Sequence, residues 1–468
     1  MLNYLKTPAA SRRDTLRVAA GGFGMLALQG LAAKPAAADT TTEGSLSTKP
    51  PHFAPRAKNV IFLCMGGGPS HVDTFDYKPT LNKRNGESSP VGRNRRGNGQ
   101  LLGSPWKFNR HGDSGLWISE LFPNLATRAD DLCLLHGMQT DVPAHPQAFL
   151  ALHTGSSQFV RPSLGAWTVY GLGTENANLP GFVSLNPPTS QGGPQNYGSS
   201  FLPAITQGTP IGRGRGRRGG SLTVENIKNE RYATPAQRRQ LDFVQKLNAA
   251  KLQRDVDNDP VEGMIESYEL AFRMQADLPE VLDLNNESAA TRNAYGIDDS
   301  ETEGFGRQCL VARRLVEAGV RFVEVTAGGW DQHFNLTQAL ADNCRSIDKP
   351  IAGLLADLKK RGLLDDTLVI WTGEFGRTPY AQGDDGRDHN NKGFTSWMAG
   401  GGVKGGFSYG ATDEFGYEAV EGKVHTHDFH ATILHLLGLD HEGLTYEYAG
   451  RDFRLTDVHG RVVEEILA

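Results

Sequence analysis

The stretch 59–76, NVIFLCMGGGPSHVDTFD, constrains the fold more than any other part of the chain. Residues 60–65 are an unbroken apolar run with no polar alternation, the pattern of a strand buried on both faces inside a parallel sheet. Gly66, Gly67, Gly68, Pro69 and Ser70 follow at once, so the backbone turns tightly and exposes amide N–H groups. His71, Asp73 and Asp76 come next, where the chain leaves the carboxyl end of the strand. Open α/β sheets gather ligands at that edge. The stretch therefore predicts one wall of a polar site.

Later segments repeat the theme. A helix over 309–317 stops at Gly319, and 321–325 is a strand leading into AGGWDQH. A second helix over 347–360 stops at Gly362, and the strand 368–372 ends in GEFGRT. Helix, glycine stop, apolar strand and polar loop, twice over, predict βαβ units and a mostly parallel sheet sandwiched by helices. Further strands are expected at 131–136, 181–185 and 397–399, with helical spacing at 116–126 and helices at AFLALHTG and FHATILHLLG. Thr234-Pro235 opens a helix with an N-cap and an N1 proline, and 261–275 forms another. These two read as a helical insertion over about 221–300. Residues 78–112 and 191–220, the latter ending in GRGRGRRGG, read as surface excursions.

The chain has 468 residues and a formal charge of -5, a balance that argues against a dedicated nucleic-acid protein. Ser11-Arg12-Arg13, a weakly apolar run over 18–33 and Ala36-Ala37-Ala38 resemble a twin-arginine export signal with a small-residue cleavage site. That run is short for a membrane span and is broken by glycines, and no other stretch approaches about eighteen apolar residues. The expected organisation is a signal over 1–38, a disordered linker over 39–57, and one domain over 58–468 located in the periplasm or outside the cell. Cys64, Cys133, Cys309 and Cys344 include no C-x-x-C pair and read as small core residues. A disulfide does not follow from their spacing.

The strand exits offer Asp73, Asp331, His333, Glu374, Asp388, His389 and His427, carboxylates and imidazoles suited to a divalent ion such as zinc, manganese or calcium. Arg377 and Arg387 could clamp an anion through planar bidentate contacts, though each reads equally as an ordinary surface or ion-pair arginine, the better reading for Arg387. Asp428 reads as the N-cap of its helix, and His430 and His435 as packing or surface residues.

SRRDTL, GGGPSHVDTFD, CLVARRLVEAGVRFVEV, GGWDQHFNL, GEFGRTP, GRDHNNKGFTSWMAGGG, HDFHATILHLLGLDH and GRDFRLTDVHG together resemble the domain of unknown function 1501 family, exported bacterial proteins abundant in planctomycetes. The resemblance spans essentially the whole chain. It implies the alkaline phosphatase and sulfatase superfamily, with an alkaline phosphatase-like sheet and a two-metal hydrolytic centre. Asp331 with His333, and His389, are similar to that superfamily's ligands. Met65-Gly66-Gly67 stands where a metal-binding Asp is usual, and Glu374-Phe375-Gly376 where Asp-His-Gly is. His145 stands where sulfatases carry their nucleophile. The resemblance thus implies a metal-dependent hydrolase of a small anionic ester, sulfate or phosphate, working by direct attack of water with His145 as acid or base and Arg377 beside it. The other reading is a catalytically inactive extracytoplasmic binding or scaffold protein on the same fold.

Overall fold

The computed structural model describes residues 46–92, 99–212, 222, 224, 227, 231–252 and 259–468. The expected export signal and the basic run 213–220 lie outside the described residues, as does the first part of the expected linker. The described residues form one compact unit.

The strands among the described residues are β1 (Asn59–Gly66), β2 (Phe108–His111), β3 (Leu116–Ser119), β4 (Leu132–Gln139), β5 (Phe182–Leu185), β6 (Thr209–Ile211), β7 (Phe322–Gly328), β8 (Thr367–Thr372), β9 (Gly376–Ala381), β10 (Arg387–Asn390), β11 (Phe394–Ala399), β12 (Phe407–Tyr409), β13 (Ala411–Thr412), β14 (Ala419–Glu421), β15 (Val424–His425), β16 (Tyr446–Tyr448) and β17 (Arg451–Phe453). Among the described residues nine of them make one sheet in the order β12-β4-β11-β8-β1-β7-β5-β6, with β15 also on β4. β1 runs parallel to both neighbours, β7 and β8, and only β11 runs against the rest. All of β1 is buried, so both faces of the sheet are covered at its centre. The expected mostly parallel sheet is therefore present, with β1 in the middle and the exits of β7 and β8 on either side of its glycine turn.

The helices that matter here are α1 (His145–Thr154), α2 (Thr234–Leu252), α3 (Asp259–Leu282), α4 (Glu303–Glu317), α5 (Leu336–Lys360) and α6 (Thr426–Leu436). α1 crosses the face of β1, with the Phe149 ring against Gly66 and His153 beside Phe62. α4 packs on β1, β7 and α5. α2 buries none of its residues, whereas α3 buries Leu270, Met274 and Leu278, so the pair is an insertion seated through its second helix. No helix among the described residues is long and apolar enough to cross a membrane.

Some expectations are corrected. Residues 116–119 are a strand, not helix, because Leu116 and Ile118 turn inward in a hairpin with β2 while Trp117 faces out. α5 starts eleven residues earlier than its apolar spacing suggested, at Leu336 rather than Ile347, with Leu340, Cys344 and Ile347 buried along it. The described end of the expected linker is pinned: His52 N–H donates to Gly438 O, and Arg56 and Ala57 N–H to Leu436 O. Asp428 is not the N-cap of α6; His425 is, and Asp428 completes the capping box from the third helical position. All four cysteines are free and buried.

The β9–β10 hairpin fastens these parts together. Arg387 on β10 meets Asp73, just after the glycine turn, at 2.7 Å through Nε and 3.0 Å through Nη2, and both side chains are fully buried. Ser70 Oγ adds a hydrogen bond to Asp73 at 2.5 Å. Removing one member of such a pair leaves an uncompensated buried charge, so Asp73→Asn is expected to cost about 3–5 kcal/mol. A urea unfolding midpoint measures this.

Candidate metal centre

Three strand exits interlock to build the site. Gly67 has φ 120°, and a Cβ on it would lie 2.5 Å from Asp331 N, so only glycine lets the loop after β7 pass this close. The Gly67 N–H points at both Glu374 carboxylate oxygens, 3.0 and 3.1 Å away, in the loop after β8. Arg377, fully buried at the start of β9, donates to Gly68 O at 2.8 Å, to Gly67 O, to Trp330 O at 3.2 Å and to Asp331 Oδ1 at 2.6 Å. The glycine turn, the Trp330-Asp331 corner and β9 thus hold one another.

Around Asp331 stand three imidazoles. His145 Nε2 is 3.2 Å from Asp331 Oδ1, His333 Nε2 2.9 Å and His389 Nε2 3.2 Å, and the last two nitrogens are 2.9 Å apart. One donor atom from each of the four residues lies within 4.8 Å of all the others. The opposite ring nitrogens face acceptors. His145 Nδ1 meets Glu374 Oε1 at 2.5 Å, His333 Nδ1 meets Gln382 Oε1 at 2.6 Å, and His389 Nδ1 meets Pro143 O at 2.6 Å. An acceptor on Nδ1 holds a proton there and turns Nε2 inward, so that loss of the Nε2 proton leaves a lone pair for a metal ion. Three Nε2 atoms facing one carboxylate, each ring held from behind by an oxygen, is how proteins prepare imidazoles for a metal ion. His145 Nε2 has no hydrogen-bond partner of its own. The residues therefore fit a divalent ion with an N₃O donor set. The site opens to solvent on one side, since the Asp331 side chain is 41% exposed.

The electrostatics follow from this crowding. Burial works to raise the Asp331 carboxyl, but the three imidazoles and the Arg377 charge outweigh it and hold the group far below the usual carboxylate range. Burial opposes a charge on His145, but the Asp331 and Glu374 carboxylates overcome it and lift the imidazole to about 9. Hydrogen bonding to Asp331 raises His333 as well, against its burial.

The structure brings together His145, Asp331, His333 and His389, and separates the other candidates from them. Glu374 is not among the converging donors: its carboxylate sits behind His145 and on the Gly67 amide. Arg377 is wholly engaged by Asp331 and backbone carbonyls rather than aimed at an anion. Asp388 is at the rim, 3.9 Å from His333 Nδ1 and accepting from the His389 amide. Asp73 is paired with Arg387 in the core, away from the donor cluster. His427 bonds to Gly155 O at 2.8 Å in a separate pocket with Asp141, His425 and His459. Sequence reasoning missed Gln382 and the Pro143 carbonyl, whose roles carry no sequence signal. It placed His145 here as an acid or base, and the structure sets its Nε2 in the same cluster as those of His333 and His389.

The chain belongs to the family described as Protein of unknown function (DUF1501), whose model matches residues 57–467. No curated protein matches the sequence. Among solved structures, the chain is similar to the lipoteichoic acid synthase LtaP from Listeria monocytogenes, at 10% identity and TM-score 0.39 over 87% of this chain and 78% of that one. It is also similar to the PsFucS1 sulfatase from Pseudoalteromonas sp., at 14% identity and TM-score 0.36 over 83% and 69%. A protein in the alkaline phosphatase superfamily from Vibrio parahaemolyticus matches at 10% identity and TM-score 0.36 over 86% and 71%.

The raised His145 predicts how metal-free protein responds to pH. A histidine whose folded value lies above its ordinary 6.5 adds stability that is complete below 6.5 and is lost as pH rises through about 9. The unfolding midpoint of chelator-treated protein should fall across that window, and His145→Gln should flatten the fall.

Proposed function

We propose that this DUF1501 protein is an exported, metal-dependent hydrolase of small sulfate or phosphate esters. One observation carries the reading: three imidazole Nε2 atoms and the Asp331 carboxylate converge at a site open to solvent on one side. His145, His333, His389 and Asp331 would hold the ion. Nitrogen-rich donors favour zinc or manganese over calcium, which takes mainly oxygen. When bound, the ion supplies Lewis-acid polarisation of the ester oxygen and activation of water.

The chain's own residues do the rest. Glu374, Gln382 and the Pro143 carbonyl keep the Nδ1 protons in place and the rings oriented. Arg377 fixes Asp331 and partly offsets its charge. Asp388 puts a second carboxylate at the rim, where a proton can be taken up beside His333. Phe334, next to His333 and 70% exposed, gives that rim an apolar face for the organic part of an ester. Export is supported by Arg12-Arg13 and the short apolar run behind them. It is tested by whether Arg12→Lys/Arg13→Lys traps the precursor in the cytoplasm.

The central test is elemental analysis of chelator-free mature protein, followed by assays on aryl sulfates and aryl phosphates. Near-stoichiometric zinc or manganese at this centre is expected, with ester turnover that disappears together with this centre's ion in His333→Ala/His389→Ala. Glu374→Gln should bind metal roughly 10–100-fold more weakly, because His145 loses its carboxylate support. Folded protein that takes up neither ion at this site would overturn the reading, and a binding role on the same fold would replace it.

A further inference from the structure

A second group of donors lies deeper under the same helix. On α1, His145, Phe149 and His153 are spaced four residues apart and share one face. The register of the parallel strands places Phe62 beside Glu324 and Cys64 beside Thr326, with Ser184 on the far side of Glu324. Side chains two apart on a strand point the same way, so Cys64, Glu324, Thr326 and Ser184 share a face with Phe62, whose ring lies beside His153. Cys64 is fully buried, Glu324 is 1% exposed and His153 is 5% exposed.

These groups are poorly provided for as they stand. An ionised carboxylate in the middle of a central strand is expensive without close partners. Glu324 receives Thr326 Oγ1 at 3.2 Å, and His153 Nε2 stands 3.4 Å away without making a hydrogen bond. His153 Nδ1 meets Phe149 O at 2.8 Å, which holds a proton on Nδ1 and leaves Nε2 facing Glu324. Ser184 Oγ, next to Glu324 across the sheet, also has no hydrogen-bond partner. One donor atom each from Cys64, His153 and Glu324 lies within 4.8 Å of the other two.

We propose that Cys64, His153 and Glu324 form a second metal site, closed and structural, that takes a zinc-class ion. Donors about 2.1 Å from a tetrahedral ion stand about 3.4 Å apart, which is the separation of His153 Nε2 and Glu324. Thiolate, imidazole and carboxylate are the ligand types of zinc, and a closed site holds structure rather than substrate. On binding, the Cys64 S–H proton leaves to solvent and a sulfur–metal bond replaces it, with no change of oxidation state. The ion would tie β1, β7 and α1 together beneath the glycine turn. The competing arrangement, an imidazolium–glutamate pair, accounts for His153 and Glu324 but gives Cys64 no role.

The test uses the whole mature protein with zinc exchanged for cobalt(II). A near-ultraviolet thiolate-to-cobalt charge-transfer band is expected in the parent. It should persist in His333→Ala/His389→Ala, which empties only the solvent-open centre, and vanish in Cys64→Ala. Titrating the zinc form of the parent with a mercurial should release a zinc ion that the open-site double variant also releases. Those parent measurements decide the matter even where Cys64→Ala does not fold. A parent protein with no thiolate–cobalt band, and with all its zinc lost in the open-site variant, would overturn the second site and leave the ion pair. Because the two sites are read from different variants, failure of either proposal is distinguishable from failure of the other.

Discussion

The site depends first on the Arg377 guanidinium. A buried cation is costly unless its donors are satisfied, and here four backbone carbonyls and one carboxylate surround it. The carbonyls belong to Gly67, Gly68, Trp330 and Arg387, so one side chain ties the exit of β1, the corner after β7 and the β9–β10 hairpin. Its Nη2 also reaches Asp331 Oδ1, the oxygen on which three imidazoles converge. The position of the central carboxylate is therefore a consequence of how three chain segments satisfy one cation.

The hairpin explains the rest of the geometry. His389 on β10 lies opposite Arg377 on β9, so the imidazole and the guanidinium that share Asp331 are cross-strand neighbours. Arg387, two residues earlier, sends its side chain to Asp73 in the core. One short hairpin thus supplies a bolt to the glycine turn, a bolt to Asp331 and a donor to the centre. Glu374 supplies the last connection: its carboxylate accepts from Gly67 N–H and from His145, joining the head of α1 to the turn. Each imidazole owes its orientation to a residue on a different segment, so the cluster exists only in the complete fold.

This separates what the sequence could and could not disclose. The apolar runs of β1, β7 and β8 with their glycine stops are local patterns, and they located the parallel core and its functional edge. Asp331 and His333 were legible for the same reason, because both sit in the polar exit of β7, while His389, on β10, was read from the resemblance. Partner choice was not legible. Asp73 and Arg387 are 314 residues apart, and nothing near either one announces a buried pair. Glu374 looked like a ligand because it follows a strand, yet its direction is set by the Gly67 amide, 307 residues away. Residues 116–119 misled differently. Their spacing with Leu121, Phe122 and Leu125 satisfied a helical period, while the pairing with β2 that makes them a strand is a tertiary fact.

The two donor groups mark opposite ends of one helix face, and their environments differ in the way their chemistry requires. At the head of α1, His145 belongs to a cluster whose carboxylate is 41% exposed, and its donors are nitrogens and an oxygen. Two turns further on, His153 faces a carboxylate 2% exposed and a thiol with no access to solvent. The hydrolase proposed for the outer group needs one side open to an anion, whereas the structural site proposed for the inner group needs closure and accepts a sulfur donor. Phe149 lies between the two, its ring against Gly66 at the end of β1. A shift of α1 along the sheet would move both histidines together and drive that ring into the turn. The glycine turn, the helix and the two clusters are therefore joined along one helix face, with Phe149 packed between them.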